Sequence, residues 1–122
     1  MFVVAAKRLF WWPVEVKVPH PEKAGEFQEH TFEMQFEAMS LERGREIDAA
    51  RNALPADKRD AFNFDYIFEL TKGWRDIVDA DGEAVPFTRE NLEAQLGFAW
   101  FRTGVLAAYE QAITGQAARL GN

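Results

Sequence analysis

The spacing of apolar residues changes at Ser40, and this change constrains the fold more than any other feature of the chain. Before it, apolar and polar residues alternate over Val14–Val18 and again over Thr31–Ala38, which is the pattern of half-buried strands. After it, apolar residues recur every three or four positions, as on one face of a helix. The 122 residues are a usual length for one domain. We therefore predict a single α+β domain, with an antiparallel β-hairpin over 1–39 packed on a mainly helical part over 40–122.

The two predicted strands are joined by a loop rich in proline and glycine, Pro19–Gly25. Pro13 and Pro19 flank the first strand, and we assign them to its ends because proline has no N–H for the ladder. A lone hairpin is marginally stable in water. The Val, Phe and Met face of this one must therefore pack on helices or on another strand.

Three helical segments are predicted in the second part of the chain. The first covers 41–53 and is capped by the serine that precedes it, and the second covers 59–71. The third covers 89–118, as a short helix followed by a longer one. Gly97 and Gly104 are the positions where we expect a break or a close contact between elements.

The stretch Gly73–Leu96 joins the two helical halves and carries the densest local signals. Gly73 stands where a helix ending near Leu70 needs a left-handed residue after its last turn. Gly82, after an aspartate, is typical of a turn. Trp74 is expected to be a buried plug at the junction between the two helical halves.

The second half of the same stretch has the pattern of a helix N-terminus. Thr88 is the predicted N-cap, with Glu90 in the first turn. Phe87 and Leu92 have the spacing of a hydrophobic staple, which fixes the angle at which the chain enters the helix.

Composition argues against an enzyme and against a cofactor. The chain has no cysteine, which excludes thiol nucleophiles and zinc–thiolate sites, and Ser40 is its only serine. Its two histidines, His20 and His30, are too few for a histidine-rich metal site. We therefore predict no catalytic, cofactor-binding or metal-binding residues.

The acidic cluster after Trp74 invites comparison with a calcium loop, but its spacing fails. If Gly82 takes the sixth position of an EF-hand loop, Ile77 takes the first and Thr88 the twelfth, so two key carboxylate ligands are missing. A solvated turn is the favoured interpretation.

Charge and hydropathy limit the partners. A net charge of −6 with scattered Lys and Arg argues against a nucleic-acid backbone as the ligand. The apolar run Phe2–Ala6 precedes Lys7 and Arg8, the reverse of the order in a signal peptide, and is too short to cross a bilayer. We expect a cytoplasmic protein with no membrane partner.

Two surfaces are candidates for protein contacts. Phe10, Trp11 and Trp12 cannot all face inward on one strand, so at least one of them is expected at the surface or in an interface. The last helix carries small residues between large ones, which suits a packed or an oligomeric face. The candidate interface residues are Phe10, Trp11, Trp12, Leu106, Tyr109, Ile113 and Leu120.

The order of these features resembles the tail assembly chaperones of long-tailed bacteriophages and their prophage relatives. The similarity runs from about Phe10 onward, through "TFEMQFEAMSLERGREI", "GWRDIVDADGEAVPFTRENLEAQL" and a closing "AYEQAITGQAARLGN". Its most specific part is Gly73–Leu92, with a Gly-Trp pair, acidic residues with a glycine, and Pro-Phe-Thr before Glu and Leu. The N-terminal hairpin departs from the all-helical members of that family.

The resemblance implies a non-enzymatic protein that binds the tape measure protein before the tail tube polymerises and is absent from the finished particle. It also implies the tail tube protein as a partner, and many copies of the chaperone along one tape measure helix. Two other hypotheses stay open: a minor structural tail protein, such as a tube or completion component, and a small enzyme with a carboxylate site.

Overall fold

A computed structural model describes residues 1–118, which form three strands and four α-helices. In chain order these are strands β1 (Leu9–Pro19) and β2 (Phe27–Glu37), helix α1 (Leu41–Asn52), a 3-10 turn (Ala56–Lys58), helix α2 (Arg59–Leu70), strand β3 (Thr71–Arg75) and helices α3 (Arg89–Leu96) and α4 (Ala99–Ile113). The predicted α+β class with an N-terminal antiparallel hairpin is confirmed.

The sheet is antiparallel with strand order β1-β2-β3, so β2 is its central strand. The inward residues of the hairpin alternate as predicted and are buried: Val14, Val16, Phe32, Met34 and Phe36. The same core contains Ile67 and Leu70 of α2, Leu92 and Leu96 of α3, and Phe101, Val105 and Ala108 of α4. The helices therefore cover one face of the sheet.

Strand β3 was not predicted, and the role assigned to Gly73 was wrong. Thr71, directly after α2, already has an extended backbone, with φ −107° and ψ 139°. The chain thus enters a strand without a left-handed residue, and Gly73 pairs with Gln35 in the middle of that strand. The hairpin acquires its third strand from residues about forty positions away, a pairing that no local pattern reveals.

The first strand is longer than predicted, and Pro13 lies inside it instead of at its end. Hydrogen bonds from Ala38 N to Arg8 O (2.9 Å) and from His20 N to Glu26 O (2.8 Å) mark the even-numbered residues as those that bond across the hairpin. The N–H positions of odd-numbered residues in β1 therefore point away from β2. A proline there removes no ladder bond.

Helix α4 lies against β1, and Gly104 is where the two backbones approach. A Cβ atom built on Gly104 would stand 2.5 Å from the carbonyl oxygen of Glu15 and 2.9 Å from Cγ1 of Val16. Only glycine allows so close a contact. The expectation of a close contact at Gly104 is confirmed.

Helix α4 ends at Ile113, so the prediction of helix as far as residue 118 was wrong. Gly115 takes a left-handed backbone with φ +74°, and Gln116 N donates to Gln111 O at 2.9 Å. This is the hydrogen-bonding pattern of a helix end closed by glycine.

The N-caps predicted for α1 and α3 are confirmed. Ser40 Oγ accepts a hydrogen bond from Arg43 N, and Thr88 Oγ1 accepts one from Asn91 N, each at 3.1 Å.

Candidate interface surfaces

The start of β1 and the end of α4 meet in one groove. The space measures about 620 Å³ and is lined by Leu9, Phe10, Trp11, Trp12, Met39 and Ile113, among others. We call it the β1–α4 groove. The fold thus brings together four residues from the two surfaces singled out in the sequence, namely Phe10, Trp11, Trp12 and Ile113.

Several apolar side chains around this groove are exposed to solvent. The exposed fractions are 52% for Leu9, 37% for Trp11 and 49% for Ile113. Leu106, one of the candidate interface residues, is 39% exposed and lies two helical turns before Ile113 on the same side of α4. Clustered apolar exposure of this kind marks contact sites for other proteins.

Trp11 lies on the outer face of the sheet and covers part of it. Its ring passes within 3.7 Å of the position that a Cβ atom on Gly73 would take. The guanidinium carbon of Arg75 lies 4.1 Å from the ring centroid, and Arg75 Nε donates to Glu33 at 2.5 Å. A cation over an aromatic face is stabilising, so Arg75 helps to hold the Trp11 ring in place on the outer face of the sheet.

Phe10 and Trp12 point the other way and pack against the core as half-buried residues. The ring centroids of Phe10 and Phe36 are 5.7 Å apart. The indole N–H of Trp12 is buried and has no acceptor among the described residues. These two side chains form the inner wall of the β1–α4 groove and present less surface than Trp11.

Tyr109 does not belong to the candidate interface. It is buried, and its hydroxyl oxygen accepts a hydrogen bond from Met39 N at 2.9 Å. Burial raises the pKa of Tyr109, although the bond from Met39 acts in the opposite direction. The residue therefore anchors α4 to the chain that follows β2. Helical spacing alone could not show whether the Tyr109 side chain is buried or exposed. Leu120, the last candidate, lies outside the described residues.

The central stretch is built around Trp74. Its ring is buried, Nε1 donates to Val85 O at 2.7 Å, and its edge meets the rings of Phe87 (5.2 Å) and Phe101 (6.3 Å). Phe87 also stacks on Phe68 at 6.1 Å, and Leu92 is fully buried. Trp74 thus joins β3 to α4 and to the segment before α3. It is buried at this junction, as predicted.

The acidic residues after Trp74 form a turn whose carboxylates serve the backbone. Asp79 Oδ1 accepts from Asp81 N at 2.9 Å and from Glu83 N at 3.0 Å. Gly82 has φ +82°, as expected for the turn glycine. Among residues 1–118, no group of three or more His, Asp or Glu side chains could hold a metal ion.

A charged pair with shifted pKa values joins α1 to α2. Arg43 donates to both carboxylate oxygens of Glu69, at 2.8 Å and 2.6 Å, and also to Glu46. These bonds raise the pKa of Arg43 and lower the pKa of Glu69. The pair is exposed and lies in no apolar cleft, so we interpret it as a tie between helices.

No model of a known protein family, no curated protein and no solved structure matches this chain. Within the described part of the chain, none of the helices is both long enough and apolar enough to cross a membrane.

Proposed function

We propose that this chain is a non-catalytic tail assembly chaperone, which binds the tape measure protein in the host cytoplasm before the tail tube polymerises. The resemblance over Gly73–Leu92 supports the family. The observation that supports a binding role most directly is the β1–α4 groove, whose lining includes the exposed Trp11 and Ile113, with the exposed Leu106 further along α4. Buried apolar area drives most protein association.

The proposal includes several copies of the chaperone on one partner, and the tail tube protein as a further partner. A protein that covers a long helix must line up in many copies, and the exposed apolar residues offer contact surfaces. The same surfaces would also suit a minor structural tail protein. The two functions differ in outcome, because a structural component stays in the finished particle and a chaperone leaves it.

The test is light scattering of the chain, alone over a wide concentration range and with a tape measure fragment. We expect a mass increase with the fragment that is lost when Leu106 and Ile113 are both changed to Asp. Leu41→Asp is the matched control, because Leu41 is also exposed but lies on α1, at a position after the Ser40 cap that accepts an acidic residue.

A monomer at every concentration, with no added mass from the fragment, would count against the chaperone proposal and against the assembly claim. Equal loss of binding in the Leu41→Asp control would instead show that added charge, and not the apolar surface of α4, is responsible. Mass spectrometry of purified tails distinguishes a chaperone from a structural component.

A further inference from the structure

The central strand β2 has an unpaired edge over half of its length. β2 runs over Phe27–Glu37, but β3 pairs with it only from Glu33 to Phe36. Since even-numbered residues bond to β1, the backbone N–H and C=O groups of Phe27, Glu29 and Thr31 point to the side where β3 is missing. All three residues are exposed. We call these groups the open edge.

The open edge exists because the chain turns away after β3. Asp76, the next residue, has φ +68° and is the one non-glycine residue among 1–118 with a positive φ. A residue in this conformation cannot continue a strand. The chain then folds back on itself, with Val85 N donating to Ile77 O at 3.0 Å, instead of pairing with Thr31.

A groove adjoins the open edge on the core side of the sheet. It encloses about 530 Å³, and its apolar floor includes Val18, Phe32, Ile77, Trp100 and Phe101. A strand added beside β2 would continue the line of β3. Every second side chain of that strand would point into this groove, because successive side chains of a strand face opposite ways.

The charges around the open edge indicate what kind of strand could bind there. Glu29 lies at its centre and Asp76 at its far side. Lys17 Nζ lies 3.9 Å from a carboxylate oxygen of Glu29, and the Lys17 side chain is exposed. A second copy of this chain that used all three open positions would pair antiparallel about Glu29, placing Glu29 opposite Glu29. Like charges directly opposite each other destabilise a strand pair, whereas opposite charges stabilise it.

From these observations we infer that the open edge binds an extended segment of another protein, which adds to the sheet as an antiparallel strand. The segment carries apolar residues that enter the groove and basic residues that lie on the outer face opposite Glu29. Main-chain hydrogen bonds supply the affinity in this mode of binding, and the alternate side chains supply the specificity. The inference does not depend on the proposed chaperone function, because the site is separate from the β1–α4 groove.

The test uses the complete chain and a short capped peptide of alternating lysine and valine. In the bound register the lysine amides face β2 and the valine amides face away. We expect binding to slow hydrogen exchange at the amides of Phe27, Glu29 and Thr31. N-methylation of the lysine amides is expected to weaken binding by about a hundredfold, because it removes the hydrogen bonds to β2. N-methylation of the valine amides should leave the affinity nearly unchanged.

Two variants sharpen the result. Glu29→Pro removes the central N–H of the open edge, at the same kind of outward position that Pro13 occupies in β1, and it should weaken peptide binding about tenfold. Glu29→Gln keeps the N–H and should weaken binding only severalfold. If Glu29→Pro loses its far-UV circular dichroism, the pair of methylated peptides still decides the question on the unaltered chain.

Equal binding of the two methylated peptides would overturn the inference, since simple charge attraction would then explain the affinity. So would protection at α4 in place of the open edge. Slowed exchange at the open edge without peptide, accompanied by a doubled mass, would show that a second copy is the occupant and would overturn the assignment to another protein.

Discussion

The outer edge of β1 and the open edge of β2 belong to one sheet but differ in how they are protected. On β1, the outward positions include two prolines without an N–H, Pro13 and Pro19, and the carbonyl of Glu15 lies against Gly104 of α4. On β2, the outward positions at Phe27, Glu29 and Thr31 keep every donor and acceptor, and all three residues are exposed. Exposed strand edges are normally blocked by such prolines or by a covering helix. A sheet that blocks one edge and leaves part of its central strand open is arranged to accept a strand on one side.

The largest effect is expected at Trp74, which joins β3 to α4 and to the segment before α3. Trp74→Ala removes a buried ring, its hydrogen bond to Val85 and its contacts with Phe87 and Phe101. We expect the free energy of unfolding to fall by about 3–5 kcal/mol, as for other buried aromatic residues. Urea denaturation measures the change. A loss below 1 kcal/mol would mean that β3 is held by its backbone pairing alone.

Gly104→Ala tests the protected edge. The new methyl group would meet the Glu15 carbonyl, which belongs to the backbone and cannot rotate away. We expect a loss of about 2–3 kcal/mol, typical of overpacking. Gly44→Ala is the control, because Gly44 lies inside α1 and a Cβ added there would meet nothing within 4 Å beyond its chain neighbours and its own helix backbone. That substitution should stabilise the protein by about 0.5–1 kcal/mol, and the same sign for both variants would contradict the contact.

A smaller effect is expected where α4 holds the end of β2. Tyr109→Phe leaves the half-buried N–H of Met39 without its acceptor, and we expect a loss of about 1 kcal/mol in the free energy of unfolding. Tyr66→Phe serves as the comparison, because Tyr66 is half-buried and contacts Arg51 through its ring. If both changes cost the same, the hydroxyl of Tyr109 contributes no specific bond.

Alkaline pH should lower the free energy of unfolding through Tyr66 and Tyr109. Burial raises the pKa of both Tyr66 and Tyr109, so each phenol is favoured in its neutral form in the folded chain. A raised folded pKa contributes stability below the unfolded value of about 10, and that stability is lost as pH rises through the folded pKa. The free energy of unfolding should therefore decline above about pH 10. A variant with phenylalanine at both positions should show a shallower decline in the same titration.

The smallest effect on partner binding is expected from the acidic turn that follows β3. Alanine at Asp79, Asp81 and Glu83 together removes the hydrogen bonds that Asp79 accepts from the turn backbone. It changes no residue of the β1–α4 groove. Capture of a tape measure fragment should be nearly unchanged. Divalent cations should also leave it unchanged, in this variant and in the parent chain. An activity that requires a metal and disappears in this variant would contradict the proposed function.

The elements whose signals are local could be predicted from the sequence, and those set by distant partners could not. The hairpin, the caps at Ser40 and Thr88 and the turn at Gly82 depend on residues within a few positions of each other. Strand β3 has a helix directly before it and a glycine in its centre, and it becomes a strand because β2 and the ring of Trp11 lie beside it.

The candidate interface divides in the same way. Helical spacing identified the large side chains of α4, but it could not separate Tyr109, which turns into the core, from Leu106 and Ile113, which face solvent. The open edge carried no signal in the sequence at all. It arises because β3 is shorter than β2 and because the backbone of Asp76 reverses the chain, and both are facts of tertiary structure.

The contact between Gly104 and Glu15 also affects how the chain can fold during its synthesis. It joins α4 to the first strand, so the apolar face of the hairpin stays partly uncovered until α4 has left the ribosome. Contacts between residues so far apart in sequence slow folding, and apolar strands that are still uncovered are prone to aggregate before the contacts form. A nascent chain that stops before α4 therefore presents Val14, Val16 and the edge of β1 to solvent, and we expect such fragments to be recovered as insoluble material.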